Sequence, residues 1–395
     1  MFDWIARWFA YRQDGNLVHY LLAPDNFHRI VWSFALLDLD ARLVGASGYL
    51  FPLAGAIGLA VTALLLGREA ARAAPGLGLV GAGFAAMLTL MPAATLDAAI
   101  AINGDYVYCL AFAALSIVLA SGPTATPGLS RALAALLAAM ASAFGIGVGL
   151  ALWPVLLFGA LRARADWRWT AAITVVGAIF GGLYLHGQAP PAGSGGPILA
   201  AGELFLSFLG LPWTRAVPAG GLLLGLVLTL GGVAGLARRG GPGAPRAERT
   251  ACALILFSLL AALMAAVGRT GITDPLAPPL RYAVFVTPLH VGLLILALPW
   301  LARRRAARPG AFDLAVAAVG VLALGQLAVM GHAAVRTTDV NRQLIADFRA
   351  GQTTPAMTAT VHPDLAHARA LSDRLRREGL YQRELHLAPQ PGAGR

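Results

Sequence analysis

Long uncharged runs alternate with short polar connectors along most of the chain. Residues 46–67 and 76–96 contain no charged side chain, and each is long enough for a helix to cross a hydrocarbon core about 30 Å thick. Similar apolar runs follow at 106–121, 169–185, 198–211, 218–236, 251–267, 283–302 and 314–335. This pattern predicts a bundle of membrane-spanning helices.

One uncharged stretch, 132–161, is too long for a single span. As one helix it would measure about 45 Å, and Ser142, Gly145, Gly147, Gly149 and Pro154 interrupt it. We expect two short helices that meet near Gly145 and form a hairpin. The fold class predicted is therefore all-α: a polytopic helical membrane bundle of about ten spans.

The arginines indicate the orientation. All 30 basic residues are arginine, and most lie in alternate connectors, whereas the remaining connectors hold only Arg215, Arg269 and Arg281. Positive residues are retained in the cytoplasm, so the arginine-rich connectors should face it. Both termini are then predicted on the opposite face, which is periplasmic if the protein lies in the inner membrane of a Gram-negative bacterium.

Composition agrees with a membrane protein. Hydrophobic residues make up 58% of the chain and charged residues 12%, whereas roughly 25% of the residues in a soluble domain are charged. The net charge of +11 reflects the connector arginines, so no nucleic-acid partner is predicted. Cys109 and Cys252 lie in apolar runs and are expected to be packing residues. The sequence has no Walker loop, dinucleotide fingerprint or zinc spacing.

Three regions follow from this pattern. Residues 1–45 form a polar segment on the outer face with interfacial helices, 46–336 a transmembrane helical domain, and 337–395 a small extramembrane C-terminal tail. Within the first region, 30–44 is predicted to be a helix lying along the membrane, with Asp38, Asp40 and Arg42 on its solvated face.

Candidate chemistry is concentrated on the predicted outer face. A carboxylate of the first region could act as general base or hold a divalent cation, and His28 with Arg29 could bind phosphate. The alternative is an interfacial helix with solvated charges. Asp97 and Asp105, at the ends of two spans, could add a second carboxylate or could simply cap helices.

A third outer cluster runs from Arg269 to Tyr282. Arg269 and Arg281 stand at opposite ends of a short loop, each against a span, although arginine is otherwise rare on this face. Paired guanidinium groups suit a lipid phosphate or pyrophosphate. The alternative is a structural ion pair with Asp274 or another carboxylate. His290, inside the next span, is expected to be a packing residue.

The chain resembles the C-type membrane glycosyltransferases, which use lipid-linked phosphosugars. The resemblance rests on Asp3-Trp4 with Asp25-Asn26-Phe27-His28-Arg29-Ile30, and on 91–103, 142–153, 268–282 and the His362-Pro363-Asp364 tail. It covers nearly the whole chain. Two departures stand out: the family usually opens with a membrane helix before the acidic loop, a helix that this sequence lacks ahead of Asp3, and Phe27 replaces a glutamate.

The resemblance implies a GT-C-like fold and specific roles. An acidic residue of the first outer loop, Asp3, would activate the acceptor, with Asp105 as a second catalytic carboxylate. The implied donor-binding residues are Asp25, Asn26, His28, Arg29, Arg269, Arg281 and Tyr282. The candidate cofactor is a divalent cation, Mg²⁺ or Mn²⁺. The implied partners are a polyprenyl-phosphate sugar donor, membrane lipid, and a glycan, lipid or protein acceptor.

Two other function classes fit the same pattern. A transporter or flippase of a lipid-linked substrate could use the outer arginines to recruit head groups, and a non-catalytic membrane scaffold would need no site. A transporter is expected to bury ionisable groups at the middle of the bilayer. This sequence keeps most of its charges at the ends of the predicted spans, which favours an enzyme.

Overall fold

The computed structural model describes residues 2–25, 28–91, 103–188, 197–211, 218–275, 278–354, 357–358 and 364–380. Across these ranges the regular structure is helical, apart from one isolated bridge between Asp25 and His28. The α-helices are α1 Phe2–Asp14, α2 Leu17–Leu22, α3 Val31–Val44, α4 Leu50–Ala73, α5 Gly78–Thr89, α6 Gly104–Ala120, α7 Leu129–Ala143, α8 Leu152–Arg162, α9 Trp167–Leu185, α10 Ile198–Gly210, α11 Pro218–Arg238, α12 Arg246–Arg269, α13 Ala283–Ala307, α14 Pro309–Arg349 and α15 Leu365–Arg377. The predicted all-α class is confirmed.

Within the described ranges, five helical segments are long and apolar enough to cross a membrane. They are Leu50–Ala73, Trp167–Leu185, Gly220–Arg238, Arg246–Arg269 and Leu280–Ala307. The chain also forms shorter apolar helices, among them α6, α7 and α10. In α4, Leu53, Ile57, Val61 and Leu64 form an exposed stripe at helical spacing, which suits contact with lipid.

The break predicted near Gly145 is present. Helix α7 ends at Ala143, a 3₁₀ turn spans Gly147–Ala151, and α8 follows. Helix α7 runs antiparallel to α6, as shown by hydrogen bonds from Ser142 Oγ to Cys109 O, from Ser116 Oγ to Ala135 O and from Arg131 to Val118 O. After α8 the chain returns to the starting level of α7, where the Asp166 N–H donates to Thr126.

The spans run between two polar ends. We name the level of the α6 N-terminus, where Tyr106, Tyr184 and Tyr282 lie, the tyrosine end. The opposite level, where Arg131 and Arg246 lie, is the arginine end. Several contacts fix these directions: Tyr108 Oη donates to Phe51 O at the start of α4, Arg246 bonds to Val118 O, Arg162 to Ala237 O, and Arg305 to Gly76 O.

Two hydrophobic cores hold the structure together. The larger core fills the space between the apolar helices and includes Cys109, while Cys252 is also buried, so the packing role predicted for both cysteines is confirmed. The smaller core lies beyond the tyrosine end, where Trp4, Trp8 and Phe34 of the N-terminal helices pack with Leu371 and Leu375 of α15. Residues from opposite ends of the sequence therefore share one core.

Charged groups close the rim of the smaller core. Arg12 of α1 pairs with Glu378, just after α15, at 2.7 Å. The guanidinium carbon of Arg374 lies 3.9 Å from the ring centroid of Phe9, a cation–π contact. These contacts attach α15 to α1.

Helix α14 is longer than a membrane span. With 41 residues it extends about 60 Å, twice the hydrocarbon thickness. It begins beside the arginine end at Pro309, and near its other end the ring of Phe348 lies 5.9 Å from that of Phe2. The predicted span at 314–335 therefore continues as helix into the region that was predicted to form the tail.

The prediction that Asp38, Asp40 and Arg42 share a solvated face is wrong for two of them. Asp40 is 1% exposed, because its carboxylate accepts the N–H groups of Gly48 and Leu50 and so caps the start of α4. Asp38 is partly buried and accepts from Trp8 Nε1. Arg42 does point outward and pairs with Asp38 at 2.9 Å.

Candidate functional site

Tyr282 lies at the centre of a polar and aromatic cluster at the tyrosine end. The guanidinium carbons of Arg269 and Arg281 lie 5.9 and 5.7 Å from its ring centroid. Tyr106 meets the ring edge to face at 5.7 Å, and Phe208 packs against it at 4.6 Å. Two cations and two hydroxyl groups are thereby held around one buried aromatic ring.

Helix ends place these side chains. Arg269 is the last residue of α12, Arg281 lies in the 3₁₀ turn before α13, and Tyr106 lies in the first turn of α6. A long side chain at the end of a span can keep its apolar part in the bundle and its polar group near the surface. The cluster therefore forms where three spans begin or end.

Arg281 carries a side-chain hydrogen-bond donor that is unsatisfied within the described residues. Its guanidinium lies beside the side chains of Tyr106 and Tyr282, with its carbon 5.7 Å from the Tyr282 ring centroid. Its Nε–H is buried and has no acceptor among the described residues. A buried charged donor without a partner costs roughly 1–3 kcal/mol or more, so an anionic oxygen placed here would be bound favourably.

His28 borders the same cluster. Its backbone forms a reciprocal pair of hydrogen bonds with that of Asp25, at 2.7 and 2.8 Å, which fixes the segment between α2 and α3. Burial and, second, the positive charge of Arg269 lower the pKa of His28 from 6.5 to about 4. The imidazole is therefore neutral at pH 7, and its buried Nδ1 lacks a hydrogen-bond partner in the described part of the chain.

Two glycines of the break after α7 allow this close packing. An ideal Cβ on Gly147 would lie 2.9 Å from Nδ1 of His28 and 3.4 Å from Tyr184 Oη. A Cβ on Gly145 would lie 2.7 Å from the backbone nitrogen of Cys109 and 2.8 Å from the carbonyl oxygen of Asp105. The absence of side chains at these two glycines therefore lets His28, Tyr184 and the start of α6 pack closely against the break between α7 and α8.

Asp105 supplies a buried carboxylate. It lies in the first turn of α6 and is 4% exposed. Ser33 of α3 donates a hydrogen bond from its hydroxyl to Oδ1 of Asp105. A buried carboxylate needs such donors to offset its lost hydration, so Ser33 fixes both its position and its orientation.

Arg29 and Asp25 act as positioning residues in this structure. All three guanidinium nitrogens of Arg29 donate to backbone carbonyls, those of Leu22, Tyr184 and His186. Arg29 thus clamps the N-terminal segment onto the end of α9. The carboxylate of Asp25 accepts from Trp4 Nε1 at 3.3 Å and lies 3.4 Å from Arg7.

The remaining predicted residues lie elsewhere. Asp3 is on α1 with its side chain 64% exposed, and its carboxylate lies 4.0 Å from Nε2 of His367 in α15. Asp3 thus faces the C-terminal helix, whereas Asp105 is buried beside Ser33 of α3. Asn26 and Asp97 lie outside the described residues.

Sequence reasoning did not select Ser33 or Tyr184. Ser33 is the one small hydroxyl residue among the buried positions of α3, which include Phe34 and Leu37. Tyr184 lies in the last turn of α9, where its hydroxyl accepts the backbone N–H of Arg29. An isolated polar residue on a buried helix face is the signal that could have identified both.

The donor set for a metal ion is limited. Within the described ranges, His, Cys, Asp and Glu side chains do not gather in a group of three that could hold one. Mg²⁺ commonly binds through one or two carboxylates together with substrate phosphate and water. Two carboxylates such as those of Asp25 and Asp105 would therefore need further oxygen ligands to hold such an ion.

Comparison of the chain with family models, with curated proteins and with solved structures finds no match.

The depressed pKa of His28 makes stability depend on pH. The unfolded histidine has a pKa of 6.5 and the native one about 4, so the unfolded state binds more protons between these values. The contribution of His28 to the free energy of unfolding is therefore complete above pH 6.5. It decreases as the pH falls towards 4, by at most about 1.4 kcal/mol per pH unit. We expect the Tm of the detergent-solubilised protein to fall between pH 7.5 and 5.0, and to fall less in His28→Gln.

The matched control is His19→Gln, because His19 is exposed on α2. Its pH dependence should equal that of the wild type. Equal losses of Tm in the wild type and in His28→Gln would contradict the assignment of a buried neutral imidazole.

Proposed function

We propose that this chain is a membrane glycosyltransferase. It moves a sugar from a polyprenyl-phosphate donor to an envelope glycan, lipid or protein acceptor at the tyrosine end, which faces away from the cytoplasm. In this proposal the five long apolar helices and the shorter ones, including the α7–α8 hairpin, together make about ten spans of a GT-C-like bundle in a bacterial inner membrane.

The observation that supports this most is the buried Nε–H of Arg281 without an acceptor, beside the cation of Arg269. Both groups lie at helix ends, the level at which the phosphate of a membrane-anchored donor would sit. A forked guanidinium remains charged and matches phosphate oxygens, and the hydroxyl groups of Tyr106 and Tyr282 add donors. The aromatic side of the cluster, including Phe208, suits the first isoprene units of the lipid.

The reaction would be a single displacement. The acceptor oxygen forms a bond to the anomeric carbon as the bond from that carbon to the phosphate oxygen breaks, so the configuration inverts. The electron pair leaves on the polyprenyl phosphate, whose growing charge Arg269 and Arg281 stabilise. We assign Asp105 as the base that takes the acceptor proton, because it is a buried carboxylate at the tyrosine end, next to Tyr106 in the sequence, whereas Asp3 is exposed beside α15.

The distribution of charge favours an enzyme over a transporter. The buried carboxylates of the described apolar helices, Asp105 and Glu69, lie at opposite ends of the bundle, and the partly buried Arg281 and Arg246 lie at those same two ends. Transport pathways commonly place ionisable side chains near the bilayer midplane. Sugar transfer from soluble donor analogues and from membrane-bound donors should therefore be measured before transport across the membrane.

Removal of either cation should slow sugar transfer. We expect Arg269→Gln and Arg281→Gln each to lower the rate of transfer roughly tenfold or more, since a charge-assisted hydrogen bond contributes about 1.5–3 kcal/mol. The measurement is incorporation of labelled sugar from polyprenyl-phosphate donors by membranes that contain equal amounts of each variant.

Arg303→Gln is the control, because Arg303 is exposed at the arginine end and changes the net charge equally. It should keep the wild-type rate. Wild-type transfer by both site variants would contradict the donor site, and no transfer by the wild type with any donor sugar would contradict the proposed function.

The assignment of the base predicts different outcomes for two aspartates. Asp105→Asn keeps the hydrogen bond to Ser33 possible but removes the basic oxygen, so the turnover rate should fall roughly 100-fold or more. Asp3→Asn should remain within about threefold of the wild type. Both are measured as initial rates at saturating donor, and a reversed ranking would return the catalytic role to Asp3.

A further inference from the structure

A second polar cluster lies at the arginine end, where α4, α6, α7 and α12 meet. At its centre Glu69 of α4 is 0% exposed and pairs with Arg72 and, at 2.9 Å, with Arg246 of α12. Such a buried ion pair costs desolvation and needs further hydrogen bonds to persist. It therefore fixes the start of α12 against the end of α4.

Three arginines also close the C-terminal end of α6. Arg131 donates to the carbonyls of Val118 and Leu119 at 3.2 and 3.0 Å, and Arg246 donates to Val118 O at 3.3 Å. Arg249 donates to Gly122 O, just beyond the helix. These bonds satisfy carbonyls that a helix end leaves unpaired and oppose its negative dipole. They also bring the guanidinium groups of Arg131 and Arg246 together on one carbonyl oxygen.

This cluster holds more positive charge and more hydrogen-bond donors than Glu69 and the carbonyls of the α6 end use. Arg72 and Arg246 pair with the carboxylate of Glu69, while Arg131 and Arg249 bind carbonyls at the neighbouring end of α6, so four arginines share this end with one buried carboxylate. The Nε–H groups of Arg131 and Arg246 and the hydroxyl of Thr250 are buried without a partner in the described structure, as is Oε2 of Glu69. Since adjacent guanidinium groups repel, an anion that accepts from several of these donors would stabilise the cluster.

An apolar cavity opens directly beside it. Its lining includes Ala120 and Ser121 at the end of α6, Leu156 of α8, Trp169 of α9, and Arg249 with Ala253 of α12. Arg249 therefore belongs both to the cavity and to the arginine cap. A site with a cationic rim and an apolar wall matches a molecule that carries a negative head and a hydrocarbon chain.

We propose that the arginine end binds the phosphodiester head group of an anionic phospholipid, with the first part of an acyl chain in the adjoining cavity. The apolar wall and the position of the cluster at the ends of spans favour a lipid over free phosphate. This proposal does not depend on the sugar-transfer reaction. The bound lipid would fix the start of α12, whose other end carries Arg269.

The test measures which lipids stay with the purified full-length protein. The protein is reconstituted in nanodiscs of phosphatidylcholine with one quarter phosphatidylglycerol, extracted in mild detergent, and the retained lipid is quantified by mass spectrometry. The wild type should retain phosphatidylglycerol in preference to phosphatidylcholine. Arg131→Gln and Arg249→Gln, which leave the pairs of Glu69 intact, should each reduce the retained phosphatidylglycerol roughly tenfold, the effect of one charge-assisted hydrogen bond.

Two further variants separate a defined site from general attraction to the surface. Ala253→Leu fills the cavity without changing charge and should also lower retention, whereas Arg303→Gln removes an exposed arginine from the same end and should not. A uniform loss in all arginine variants with none in Ala253→Leu would overturn the lipid site. Displacement of the lipid by millimolar inorganic phosphate, with equal binding of that phosphate alone, would overturn the lipid in favour of the free anion.

Discussion

The interior of a bilayer offers the backbone no hydrogen-bond partner, and this constraint organises the molecule. Each apolar segment must satisfy its own backbone groups as helix, so polar chemistry is confined to the helix ends. The ends must in turn be satisfied from elsewhere, and here side chains do so: Asp40 caps α4, Arg29 binds carbonyls at the end of α9, and Arg131 binds those of α6. The two polar clusters are built from these helix ends.

Helices α6 and α12 connect the two clusters. Helix α6 has Asp105 and Tyr106 at one end, and the carbonyls of Val118 and Leu119 at the other receive the arginine cap. Helix α12 begins at that cap and finishes at Arg269. The polar groups at both ends of the bundle are therefore positioned by the same two helices.

Much of the fold follows from hydrophobic periodicity and from helix-breaking residues. Runs without charge locate the apolar helices, and the glycines around Gly145 locate the break. What the sequence alone could not predict depends on contacts between distant segments. From the sequence alone Asp40 would be taken for a surface charge, whereas in the structure it accepts hydrogen bonds from the N–H groups of Gly48 and Leu50. Arg29 would be taken for a phosphate ligand, whereas in the structure it donates to carbonyls at the end of α9. Asp3 is separated from the cluster by the packing of α1 against α15. The clustering of Arg269, Arg281 and Tyr282 was more predictable, since a short loop joins the two spans that carry them.

In the proposed function, the tyrosine end binds the phosphate and first isoprene units of a lipid-linked donor. This binding can be tested by photo-crosslinking of the protein in membranes with a polyprenyl-phosphate sugar that carries a diazirine on its first isoprene unit, followed by mapping of the adducts by mass spectrometry. We expect adducts on the end of α12 and the start of α13, near Arg269 and Tyr282, that excess unlabelled donor removes. Adducts concentrated near Arg246, or adducts equal to those formed with an uncharged polyprenol, would contradict it.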